Sequence, residues 1–374
     1  MDQKKIVAGF IGSGGIARSH AFAINSLQYY YNEPPKVELA AVCSATEASR
    51  ESFAGRFGFG KALDLDHFIS DKNINTVYIL GPNRVHFDHL KAALSMPSVE
   101  RIYLEKPVCS NREEESGISE LVKKNPAIKI QAGFQFLFSP AIREALQFWT
   151  SGKSGRAVHF DFRYFHSDYL RKEYRDKRRT RLTAAPDGGA MADLGSHAIS
   201  LLSAFLGKNV HITGALQSGQ FEDVTPDSDL FSMISLYDDA SGAAGTLSAS
   251  RISSGTGDLL SFEIFAEKGS IRYSTLNPDF FEFFLEDTRI WYRQMAGSNY
   301  KPITSFPSGH VPAGWLRSLI HAHYVFLTDD DAGSFIPGIE HGLDVQRLVT
   351  ETAVYLKEYR KKRDEFKTNY LTFS

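Results

Sequence analysis

The chain of 374 residues carries 42 Lys and Arg against 44 Asp and Glu, a formal net charge of −2, with 43% hydrophobic and 23% charged residues. This is the composition of an ordinary globular protein that buries a core unaided and is long enough for two domains. The near-neutral balance gives no general attraction to nucleic acid or anionic membrane, and two cysteines far apart in sequence, Cys43 and Cys109, argue against a disulfide framework or a cysteine zinc site.

Only a short apolar run follows Lys5, too short for a signal peptide or a membrane span, so a cytoplasmic protein is expected. Ile6 to Ile11 is of strand type and runs into Gly12, Ser13, Gly14, Gly15, Ile16 and Ala17, after which a helical pattern extends to Leu27. A strand, a glycine turn and a helix form the context of a dinucleotide fingerprint. The glycines allow a tight turn and close approach of a pyrophosphate, and the amides at the helix start meet its charge. The competing reading is a glycine turn that merely joins a strand to a helix.

A second strand, Val37 to Cys43, follows a Tyr29–Pro35 surface loop. At its end an NAD-binding unit usually has an acid for the ribose 2′-hydroxyl, and here Ser44 stands instead. Without a carboxylate a 2′-phosphate becomes tolerable, with Arg50 or Arg18 to neutralise it, so NADP is favoured slightly over NAD; alternatively Arg50 belongs to the solvated face of the next helix. Thr76 to Leu80 and Arg101 to Glu105 are further strands, separated by a helix from His86 to Leu94. This alternation predicts a parallel, doubly wound α/β sheet. Gly81-Pro82-Asn83, with His86 behind it, and Glu105-Lys106-Pro107 end neighbouring strands and are expected to face the cofactor crevice. Asn111 and Glu114 predict a capping box for the following helix.

Lys129 to Pro140 reads as a last strand leaving the first domain. Beyond Gly155 the pattern alternates over Ala157–Phe165, His211–Gln217, Leu230–Leu236, Gly245–Ile252, Leu259–Ala266 and Phe280–Leu285, which predicts a large, open, mostly antiparallel sheet with helices on one face. The uncovered face would need a partner, so a homo-oligomer is expected, with burial inside one subunit as the competing reading. Between 171 and 181 seven basic residues stand against Glu173 and Asp176. They suit either a clamp for an acidic or phosphorylated substrate or a solvated loop or subunit contact. Within Asp187 to Phe205, the residues Met191, Leu194, Ala198, Leu201 and Phe205 mark one buried helical stripe, flanked by Asp193 and His197 four apart. That pair could be an acid/base unit, a helix-surface pair or two metal ligands; no metal is expected. Ser308 to Trp315 is a Gly/Pro loop that could close on substrate before a helix from Leu316 to Leu327, and a final helix runs from Ile339 to Tyr359.

The glycine turn, Glu105-Lys106-Pro107, and Gly188-Gly189 followed by Asp193-Leu-Gly-Ser-His197 together resemble the Gfo/Idh/MocA oxidoreductase family over nearly the whole chain. The resemblance implies a Rossmann dinucleotide-binding domain over residues 1–134. It implies an α+β substrate-binding and oligomerisation domain over 135–374 that forms a homodimer or homotetramer, with the C-terminal helix, about 339–362, packing back on the first. It further implies hydride transfer between NAD(P) and a hydroxyl or carbonyl carbon of a sugar or cyclitol. Lys106 would reach nicotinamide and substrate oxygen, His197 would be the general acid/base, and Asp193 would orient it. Ser44 departs from the family pattern, as do Leu137, where arginine is common, and Ser200, where an acid is common. Two alternatives remain on this scaffold: a glycoside hydrolase using transient oxidation with retained cofactor, and a non-catalytic nucleotide-sensing regulator.

Overall fold

The computed structural model describes residues 5–182, 188–219, 221–297, 314–330 and 335–371, with side chains to 362. From Ile6 to Ala132 strand and helix alternate: β1 (Ile6–Ile11), α1 (Gly15–Tyr30), β2 (Val37–Cys43), α2 (Glu47–Phe57), β3 (Lys61–Leu63), α3 (Leu65–Ile69), β4 (Thr76–Ile79), α4 (His86–Leu94), β5 (Arg101–Leu104), α5 (Arg112–Lys124) and β6 (Lys129–Ala132). The six strands pair in parallel in the order β3-β2-β1-β4-β5-β6. β1 and β4 are buried along their whole length, as strands covered on both faces must be. The order reverses between β1 and β4, which opens a crevice beyond their carboxyl ends. At α5 the Asn111 side chain accepts from Glu114 N–H, while the Glu114 carboxylate reaches Ser110 N–H, one residue before the cap.

The strand expected to run on to Pro140 stops at Ala132. A buried 3-10 turn, Gln135–Phe138, follows, and Pro140 opens α6 (Pro140–Thr150), because its ring suits the first helical position and cannot donate to a sheet. The rest comprises β7 (Ala157–Phe165), α7 (Lys172–Asp176), α8 (Ser196–Leu206), β8 (Val210–Ser218), β9 (Phe231–Asp238), β10 (Ala244–Ser250), β11 (Leu259–Ala266), β12 (Gly269–Ser274), β13 (Phe280–Leu285), β14 (Ile290–Met295), α9 (Gly314–Thr328) and α10 (Ile339–Leu371). Strands β7 to β14 form one sheet in the order β14-β13-β12-β11-β7-β10-β9-β8, antiparallel except for the β7/β10 pair. Period-two burial turns one face toward α6, α8 and α10. The pairing register puts Leu216, Tyr237 and Trp291, all exposed, on the other face.

Helix α9 crosses back to the first sheet. Its Leu319, Ile320, Val325 and Phe326 are buried with Phe10, Tyr78 and Tyr103 in one cluster beside α1. Helix α10 packs on α5 and β6 of the first sheet and on α8 and β8 of the second. Most of the Ser308–Trp315 loop lies outside the described residues; Gly314 and Trp315 begin α9. Among the described residues no helix is long and apolar enough to cross a membrane, and no group of three or more His, Cys, Asp or Glu gathers as metal ligands.

Candidate active site

The crevice at the strand-order reversal is a cleft of about 1030 Å³. Its floor and one wall come from Gly12, Ser13, Gly14, Gly15 and Ile16, from Ser44 and Arg50, from Pro82 and Asn83, and from Glu105 and Lys106. Gly12 has φ +127°, and a Cβ there would lie 2.7 Å from the Leu80 carbonyl carbon, so the turn requires glycine. Gly14 and Gly15 would point Cβ atoms into open space, and α1 starts at Gly15 with bare amides. These residues fit a dinucleotide: a smooth backbone cradle at a helix amino terminus is what a pyrophosphate requires.

Two expectations for the cofactor wall change in three dimensions. His86 is buried, with its ring nitrogens 2.8 Å from the Pro107 and Gly81 carbonyl oxygens, so it braces the two strand ends from behind, and His89 lines the cleft in its place. Arg18 is exposed on α1 and outside the lining, whereas Arg50 lies in it, its guanidinium 3.5 Å from the Ser44 carbonyl oxygen. The carboxylate missing from position 44 is supplied nearby by Asp64, which lines the same end of the cleft and caps α3. No sequence motif marks it, because Asp64 comes from the next strand end and approaches only in the folded sheet.

Lys106 and Asp193 meet where the two halves face each other. The Lys106 ammonium donates to the Asp193 backbone carbonyl at 2.7 Å and to Oδ1 at 3.1 Å, and its peptide bond to Pro107 is cis. Beneath it the Glu105 carboxylate accepts from Lys106 N–H at 3.0 Å and from His20 at 2.9 Å, and His20 is bonded in turn to His323 of α9 at 2.8 Å. The lysine backbone is thereby fixed from below by groups 85 and 303 residues apart along the chain from His20.

Asp193 does not partner His197. Residues Met191–Gly195 form a π-helical turn, with Ser196 N–H donating to Met191 O five residues back, so the one-turn spacing read from the sequence does not apply. The Asp193 carboxylate is instead held by Lys106, by Arg181 at 3.0 Å and by Arg251 at 2.7 Å. Burial would raise its pKa, but the three cations outweigh burial and hold it well below the usual carboxylate range. Arg251, at the end of β10, is fully buried, lies 4.5 Å over the Tyr169 ring and also donates to the Arg181 carbonyl. No motif marks it; a charged residue closing an apolar strand was the only available signal.

His197 lies just behind this cluster, 5% exposed, with the rings of Phe134, Phe136 and Tyr164 around it. Its Nδ1 is buried without a hydrogen-bond partner. Burial first, and the Lys106 charge second, push its pKa well below 6.5, against a smaller opposing pull from Asp193. The imidazole is therefore neutral at pH 7 and under the field of the Lys106 ammonium.

A doubly wound sheet with a dinucleotide cradle, joined to a second unit whose helix start sets an aspartate against a strand-end lysine with a histidine behind the pair, defines a nucleotide-dependent oxidoreductase architecture. The chain belongs to the Gfo/Idh/MocA family: residues 6–134 match its oxidoreductase family, NAD-binding Rossmann fold, and residues 142–272 match its C-terminal domain. Relatives include levoglucosan dehydrogenase of Pseudarthrobacter phenanthrenivorans, 24% identical over 90% of this chain and 92% of that one. Glucose-6-phosphate 3-dehydrogenase of Bacillus subtilis is 24% identical over 74% and 75%. Among solved structures, levoglucosan dehydrogenase in complex with NADH and L-sorbose superposes with TM-score 0.80 over 95% of this chain and 97% of that one, at 21% identity.

Proposed function

We propose that the protein transfers hydride between NAD(H) and a hydroxyl or carbonyl carbon of a sugar, sugar derivative or cyclitol, with Lys106, Asp193 and His197 as the catalytic group. The observation that carries the proposal is the Lys106–Asp193 contact at the mouth of the glycine cradle, with a neutral His197 behind it. A bound nicotinamide supplies the hydride acceptor or donor. In the oxidative direction the neutral imidazole receives the hydroxyl proton. Two N–H groups of the Lys106 ammonium are spent on Asp193, which leaves one of its three for the substrate oxygen. That donor stabilises the developing alkoxide, an effect worth roughly 3 kcal/mol where water is excluded. Asp193 keeps the ammonium aimed.

The relatives named above act on carbohydrates, and the family's NAD-binding fold supports NAD(H). Arg50 beside Ser44 would admit a 2′-phosphate, while Asp64 opposes it and Arg18 lies outside the cleft, so the slight preference for NADP drawn from Ser44 with Arg50 or Arg18 gives way to NAD(H). The exposed Leu216, Tyr237 and Trp291 on the helix-free face support a homo-oligomer through that face.

Lys106→Met and His197→Ala test the roles. Each is expected to lower kcat at least 100-fold while NADH affinity stays nearly intact; near-normal turnover in either removes the assignment.

A further inference from the structure

The basic segment 171–181 is largely consumed by its own ion pairs. Arg171 meets Asp168 at 3.0 Å, Lys172 and Arg179 share Asp176 at 2.7 and 2.6 Å, Arg175 is buried against Asp223 at 2.6 Å, and Arg181 bonds Asp193. Lys177 and Arg178 have no such pair among the described residues; Lys177 is exposed and outside the cleft lining, whereas Arg178 lies in it. Its guanidinium lies 3.8 Å over the Tyr174 ring, it is half-buried, and it has no carboxylate partner among the described residues. It forms part of the cleft wall together with Thr180 and Arg181. Stacking on a ring fixes the plane of a guanidinium and leaves its N–H edges free, which is the preparation a planar anion requires.

The charge balance at this end of the cleft points the same way. Lys106, Arg181 and the buried Arg251 surround one carboxylate, Asp193, and Arg178 adds a further cation to the lining of the same cleft. Glu105, the other acid lining this end of the cleft, has its two oxygens taken up by His20 and Lys106 N–H. A nicotinamide ring is neutral or positive, and a dinucleotide's pyrophosphate is met at the start of α1. The cofactor therefore leaves the surplus positive charge of the second-domain wall unanswered.

We infer that the substrate supplies the missing anion: it is a sugar or cyclitol derivative with a carboxylate or phosphoryl group, gripped by Arg178 while its reacting hydroxyl lies at Lys106. This rests on the oxidoreductase reading and narrows its substrate class. Calorimetric titration of the NADH-loaded chain with neutral hexoses, pentoses and inositols, each beside its phosphate and uronate counterpart, tests it; nicotinamide reduction is followed for the same panel with NAD+. At least one anionic member is expected to bind about 30-fold tighter than its neutral parent, as charge-assisted bonds to one guanidinium allow. Phosphate against uronate identifies the anion. Arg178→Gln should bring the anionic-to-neutral ratio close to one with NADH affinity within about twofold, and Arg178→Lys should keep part of the preference. Equal binding of charged and neutral partners, or no binding by any anionic member, overturns the inference. So does a preference that survives Arg178→Gln, or a variant whose main loss is NADH affinity, which would assign Arg178 to the cofactor's pyrophosphate. An intact anionic preference in binding with no nicotinamide reduction by any compound would instead count against the dehydrogenase reading alone.

Discussion

Asp193 has three cations within 3.1 Å of its carboxylate, and they differ in what they hold. Lys106 and Arg181 line the cleft, whereas Arg251 is fully buried behind and bonds both Asp193 and the Arg181 carbonyl. Arg251 is thus the positioning residue that fixes the carboxylate from the side away from substrate. Arg251→Met leaves Asp193 with two partners but loose, and is expected to lower kcat about 10- to 100-fold and to cost roughly 2 kcal/mol, less than the loss of a sole partner in a buried pair. Arg251→Lys should recover little of either, because one ammonium does not reproduce a fork that spans two acceptors. Steady-state kinetics and thermal melts check both; a rescue by lysine would show that charge alone is needed. Lys106 and His197 could be singled out in the sequence because each sits in a short recognisable run. Arg251 could not, since its partner lies 58 residues upstream and only the fold brings the two together.

At the scale of the element, the apolar spacing from Met191 to Phe205 located the helix that carries the site but not its winding. The α-helical part begins only at Ser196. Ahead of it the π-turn is held by long-range contacts that periodicity does not record. Asp229 accepts from Ala190 N–H through its carbonyl at 2.8 Å and from Met191 N–H through its carboxylate at 3.0 Å, and Gly189 N–H donates to Arg181 O. Gly188 is required here, because a Cβ would come within 2.5 Å of the Arg181 backbone. Asp229 serves as a cap supplied from outside the helix. Asp229→Ala should therefore cost about 1–2 kcal/mol in urea unfolding, the usual loss for a removed cap, and should lower kcat more than it raises KM, since Asp193 lies in the turn it holds. An unchanged kcat with full loss of stability would separate the cap from the site.

Over the whole molecule, the two-sheet plan was legible from alternating and helical periods, but the way α9 closes the first sheet was not, because it rests on packing between residues some 300 positions apart. That packing buries His321 and His323 of α9, and the packing around α8 buries His197 and His341. His197, His321 and His323 have pKa values pushed well below 6.5 by burial first, and His341 is pushed down to about 4 by burial. An unfolded chain would titrate these near 6.5. Above pH 6.5 both states are neutral and the histidines contribute no pH dependence. Below it the unfolded chain binds protons that the native chain refuses, so stability falls as pH drops from about 6.5 toward 4, by up to about 1.4 kcal/mol per pH unit for each such histidine. Asp193 has its own window: its depressed pKa favours the native state above about 3.9, and that contribution disappears only in stronger acid. Melting temperature should accordingly be flat between pH 7 and 8 and fall steeply between pH 6.5 and 5, with several protons taken up per molecule on unfolding. Substituting His321 by Asn should reduce that uptake by about one proton. Uptake below one proton per molecule at pH 5.5 would mean that these rings are charged in the native protein, and with it the neutral state of the His197 base would be lost.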